Sequence, residues 1–213
     1  MTITHIIPSA FDYFDDIKKN AFEIVEELQP YGINSHVITL QYNQPTKSQQ
    51  AEIIGERGPA PSYKFKGNSG LKESFIEMAE SDLVHLHCPF MGGAKSILDF
   101  KLRNADLPLV CTYYRPVETP DVFSLIIKAY NAYYLPKIFQ LANVVGVFDQ
   151  TFKKYKFAKL DEQKIIDFNV GTKEEITLNL PLTNNPDRLK YNDQLTARFS
   201  LSKLMSVYDT LLH

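Results

Sequence analysis

This chain of 213 residues is poor in the features that point to a membrane, a nucleic acid or an oxidising compartment. It has two cysteines, Cys88 and Cys111. Each ends an apolar run, the setting of a reduced, buried thiol in a cytosolic protein. No stretch of about 18 apolar residues occurs, so no membrane span is expected. The opening "MTITHIIPSAFDYFDD" lacks a basic n-region and meets acidic residues early, unlike a signal peptide. Net charge is −2, so there is no broad basic field for nucleic acid. No Gly-x-Gly-x-x-Gly follows the first apolar run, which argues against a stand-alone nucleotide-binding Rossmann protein. Internal repeats and low-complexity tracts are missing too. The aromatic residues are plentiful and uneven, which leaves peripheral membrane contact open, at the inner face for a cytoplasmic protein.

What is present is ordinary for a globular chain: 44% hydrophobic and 23% charged residues. Short apolar runs alternate with helical patterns. Strands are expected over 4–10, 33–40, 62–66, 82–87, 107–114, 143–148 and 164–169. Helices are expected over 16–29, 71–80, 92–105, 120–142 and 149–157. Ile17, Ala21, Ile24, Val25 and Leu28 share one helical face, and Pro30 ends that helix. Pro136 predicts a bend in the long helix. Residues 173–195 are polar and rich in Pro and Asn, and read as a linker. Residues 196–213 regain helical spacing, with Ser200 as a cap and an apolar stripe that must dock. Alternating strands and helices predict an α/β fold, a single doubly wound parallel sheet with the C-terminal helix docked back on it. The expected division is therefore a Rossmann-like domain over 1–172, the linker and that helix.

In an open parallel sheet, ligands gather beyond the carboxyl ends of the strands. Those ends are Ser9 to Asp16, His87 to Gly93, Tyr113 to Glu118 and Phe148 to Gln150. In "DLVHLHCPFMGG" (82–93), His85 and His87 project from the same strand face. Zinc needs three or four ligands. With His5, His36 and His213 scattered through the sequence, no metal site is expected. His85 reads as core packing, and His87 as facing the cleft. Gly92 and Gly93 open a helix whose N–H groups suit a phosphate. Arg115 suits phosphate or carboxylate, and Glu118 suits acid–base work. Tyr130, Tyr133 and Tyr134 form an aromatic wall, a core stripe or an interface.

The series "DLVHLHCPFMGGAKSIL", "LPLVCTYY", "ANVVGVFDQTFKKYKF" and "KIIDFNVGT" resembles the N-terminal, acceptor-side domain of family-4 glycosyltransferases. These are GT-B enzymes with two Rossmann-like domains. The family pattern is an Asp-x-x-His-x-His strand, a small-residue helix, a strand ending Thr-Tyr-His, an Ala-Asp strand ending in Ser, and a strand ending Pro-Asn-Gly-Val. Order and spacing match over roughly residues 3–172, and "RFSLSKLMSVYDTLL" is similar to the family's last helix. The departures are equally specific. "AFDYFDD" replaces the early Gly-Gly loop, and Tyr114 stands where the family has a histidine. Between Gly171 and the last helix about two dozen residues leave no room for the donor-binding domain.

The resemblance implies a sugar or lipid-linked acceptor at the strand ends. It assigns catalytic roles to His87, Glu118 and Tyr114. Arg115, Tyr113, Asp15, Asp16 and Asp149 would bind substrate, and Gly92 and Gly93 would approach the donor diphosphate. It implies a nucleotide sugar as donor substrate and no metal or other cofactor. The partner is a donor-domain subunit or a second copy in a homo-oligomer. The alternative expectation is a non-catalytic relative serving as a scaffold subunit.

Overall fold

The computed structural model describes residues 1–8, 15–40, 62–66, 75–91, 93–116, 124–147, 161–168 and 200–213. The strands are β1 (Thr2–Pro8), β2 (Asn34–Leu40), β3 (Ser62–Lys66), β4 (Leu83–Cys88), β5 (Leu109–Tyr113), β6 (Val144–Val147) and β7 (Ile165–Asp167). They form one seven-stranded sheet in the order β3-β2-β1-β4-β5-β6-β7, with every pairing parallel. The helices are α1 (Asp15–Leu28), α2 (Phe75–Ala79), α3 (Ala94–Arg103), α4 (Ser124–Ala129), α5 (Leu135–Leu141) and α6 (Leu201–Leu212). The strand order reverses between β1 and β4, the point where such sheets open a crevice.

The apolar face expected of α1 is the one it buries. Ile17, Ala21, Ile24, Val25 and Leu28 are all inside. Pro30 sits in a 3-10 turn, Gln29–Tyr31, after which Gly32 adopts φ 73° and donates its N–H to Gln29 O. That left-handed angle favours glycine at position 32. β1 begins two residues before the expected start, because Thr2 and Ile3 already pair with Asn34 and Ser35 of β2. Pro136 does not simply break its helix. A π turn, Tyr130–Tyr134, joins α4 to α5, and the Leu135 N–H reaches back to Tyr130 O. The wider turn forms immediately before the residue that has no N–H to give. Ser200 caps α6 by accepting from Lys203 N. The expected helix at 149–157 and the linker at 173–195 lie outside the described residues.

Side chains alternate across each strand, and parallel register places paired residues on the same side. One face carries Ile6, Leu86, Cys88, Cys111, Tyr113, Val145 and Val147. Residues of α2, α3 and α5, including Met78, Ile97, Phe100, Ile138 and Phe139, cover it. The opposite face carries Ile3, Leu83 and Val110, packed with Phe168, with Ile17, Ile24 and Leu28 of α1, and with Leu204, Val207 and Tyr208 of α6. Each large apolar side chain buried this way contributes roughly 1.5–3 kcal/mol. The two faces differ in what lies among the apolar residues, and that difference defines the site.

Candidate functional site

β1 and β4 are neighbours, and their register pairs His5 with His85. β4 and β5 pair His87 with Thr112. His5, His85, His87 and Thr112 therefore stand on one face, and all four are fully buried. The His85 and His87 rings stack with centroids 4.2 Å apart. The His5 ring lies 5.2 Å from His85 and 5.5 Å from His87.

Hydroxyl groups surround these imidazoles. Tyr208 Oη of α6 shares a hydrogen bond of 2.6 Å with His85 Nδ1. Thr112 Oγ1 shares one of 2.7 Å with His85 Nε2. A neutral imidazole has one N–H, so His85 donates to one of these oxygens and accepts from the other. His87 Nδ1 shares a 2.8 Å hydrogen bond with Tyr114 Oη, and His87 Nε2 lies 3.2 Å from His5 Nδ1. Among the described residues of this network, the far nitrogen of His5, Nε2, is the atom buried without a partner; Ser35 Oγ is a second such atom outside it. Such an orphan costs roughly 1–3 kcal/mol.

Burial sets the protonation states. It lowers the His5 pKa to about 3. His85 and His87 are also held well below the usual range, by burial first and then by neighbouring imidazoles. Burial pushes the phenols of Tyr114 and Tyr208 well above theirs. The network is thus electrically neutral near pH 7.

Several residues expected in the site stand elsewhere. His87 does not face a cleft: it is fully enclosed. It and Tyr114 both point into the core beneath α1 and α6, because the even alternation that buries His85 also buries His87. Tyr114 pairs with His87 and is 7% exposed. Tyr113 points to the opposite face, where its ring meets Phe139 edge-on. The structure therefore separates Tyr113 from His87 and Tyr114. Arg115 is half-buried, with Nη1 donating to Pro116 O at 3.4 Å. Gly93 precedes α3 as its N-cap residue, with φ −130°. Asp15 and Asp16 open α1, beyond the carboxyl end of β1. Glu118, Asp149 and Gly92 lie outside the described residues.

Of the three tyrosines around the π turn, Tyr130 is buried and its Oη accepts from Phe90 N at 2.9 Å. Tyr133 is exposed, with the Lys137 ammonium 3.7 Å from its ring centroid. Tyr130 thus belongs to the core, tied to the residues that follow β4.

Three residues of this network were missed by sequence reasoning: His5, Thr112 and Tyr208. The signal for His5 was available in the doubly wound order, which sets the first strand beside the fourth. Tyr208 sits in the apolar stripe of the last helix, and nothing in that spacing names His85 as its partner.

Comparisons with models of known protein families and with curated protein sequences find no match.

Proposed function

We propose that the protein is a glycosyltransferase-like acceptor-binding domain. It would take part in sugar transfer from a nucleotide sugar, with the donor-binding half contributed from outside these residues by a partner subunit or a second copy. The observation that carries this reading is positional. The motif series resembling family-4 glycosyltransferases falls on consecutive strand ends of a parallel sheet, at β4, β5 and β6, beside the reversal between β1 and β4.

In this reading Arg115 meets the acceptor or a phosphate at the mouth of β5, and the Gly93 end of α3 faces the donor diphosphate. No metal takes part in the transfer chemistry. His87 and Tyr114 act as supports, since a catalytic group must reach the proton it moves and both are buried. The site would work in the cytoplasm, at the inner face of the membrane when the acceptor is lipid-linked. No helix among the described residues is long and apolar enough to cross a membrane.

The burial of His87 and Tyr114 favours a second reading, a non-catalytic relative kept as a partner-binding subunit. One experiment separates the two. The protein is captured from native lysate with its partners and assayed for transfer from UDP- and GDP-sugars. Transfer that falls on Arg115→Ala supports the first reading. A stable partner without transfer, and no UDP- or GDP-sugar effect on melting, supports the second.

A further inference from the structure

The imidazole cluster satisfies itself incompletely, and the defect has a chemical direction. His5 Nδ1 faces His87 Nε2, while His5 Nε2 is buried and unpartnered. If the His5 proton were on Nε2, an N–H would be stranded in an apolar interior. With the proton on Nδ1, His5 donates to His87, and Nε2 becomes a bare lone pair. The second arrangement strands no donor. His87 then donates from Nδ1 to Tyr114 Oη. Tyr114 holds one nitrogen of His87, as the outer partner of a metal-ligating histidine does, whereas Tyr208 and Thr112 hold both nitrogens of His85, and one of those two hydrogen bonds gives way when His85 ligates.

One nitrogen from each of His5, His85 and His87 can be chosen so that all lie within 4.8 Å of one another. An all-nitrogen set suits zinc-class metals and not magnesium or calcium, which take oxygen ligands.

We propose that His5, His85 and His87 form a binding site for a divalent transition metal of the zinc class, tying β1 to β4 beneath α6. The site does not depend on the sugar-transfer reading.

The test uses the full chain after treatment with a chelator. Co(II) is added and visible absorption is read, then Zn(II) is added as competitor, with Mg(II) as the control. One equivalent of Co(II) gives the d–d bands of a tetrahedral site, and Zn(II) removes them. Zn(II) raises the melting temperature and Mg(II) does not. H5Q loses the bands, because it removes the unpartnered ring nitrogen. The double variant H36Q/H213Q alters both histidines outside the cluster and keeps the bands. Thr112→Val, which removes a hydroxyl holding His85, weakens Co(II) binding about 10–100-fold. No bands and no Zn(II) shift in the unaltered protein overturn the proposal. Equal binding by H5Q, or loss of binding in H36Q/H213Q, overturns it as well. Should H5Q fail to fold, the double variant decides.

Discussion

The two faces of the sheet are equally dry and chemically opposite. On one, Leu86, Cys88, Cys111 and Tyr113 meet the helices that follow β3, β4 and β5. The cysteines are free and buried, and the Cys111 thiol is pushed up by burial and by its hydrogen bond with Cys88. On the other, three imidazoles and their hydroxyl partners stand where a parallel sheet usually places Val, Ile or Leu. The apolar face tolerates imprecision, because hydrophobic burial has no direction. The imidazole face does not, because each ring nitrogen needs a partner at a fixed distance and angle. The protein's specific chemistry is therefore concentrated on the side covered by α1 and α6.

The faces should part most widely in acid. In the unfolded chain each imidazole titrates near its ordinary value of about 6.5. In the folded protein His5 takes a proton only near 3, and His85 and His87 also resist protonation. The unfolded state thus binds more protons below about pH 6.5, and stability falls as pH falls through that window towards about 3. Each resisting imidazole costs about 1.4 kcal/mol per pH unit. Urea midpoints in chelator should change little between pH 7.5 and 6.5 and drop steeply between 6.5 and 5.5, and a flat profile would break the contrast.

Substitution tests follow in decreasing size. His85→Ala leaves Tyr208 and Thr112 unpaired around a cavity, and should cost about 3–5 kcal/mol in urea unfolding. A loss under 1 kcal/mol, on the order of a surface change, would mean that the network is not coupled. Gly146 lies on the imidazole face, paired with Thr112, and a Cβ there would fall inside the Phe168 ring. Gly146→Ala should cost about 1–3 kcal/mol through overpacking. Removing only the hydroxyl in Tyr208→Phe should cost about 1–2 kcal/mol, with the loss read as a lower melting temperature. On the thiol face, Cys111→Val should stay within about 1.5 kcal/mol. If it proves as costly as His85→Ala, the faces are not so different after all.

The parallel sheet was legible because period-two apolar runs and 3.6-period helices alternate without interruption. α1 is the clearest case, with all five expected core positions inside. The boundaries of β1 were not legible, since pairing with β2 decides them rather than composition. The π turn before Pro136 was hidden as well, because the missing N–H can be met by a bend or by a wider turn. In the site, the spacing of His85 and His87 put both on one face, but could not say that this face is closed. Closure depends on α1 and α6, elements distant in sequence. His5 belonged to the cluster through strand order alone. Tyr113 and Tyr114 are adjacent and point to opposite faces, so reading them as one strand-end group ignored the alternation.

The Tyr208–His85 hydrogen bond joins residues 123 positions apart. Its consequence concerns time as well as stability. Contacts this distant require a large loop to close before they return anything, so they form late. During synthesis β1, β4 and β5 emerge, pair and pack their thiol face long before α6 exists. Until then the imidazoles face whatever surrounds the nascent chain: water, protons, or a metal ion. α6 is the element that closes the imidazole face.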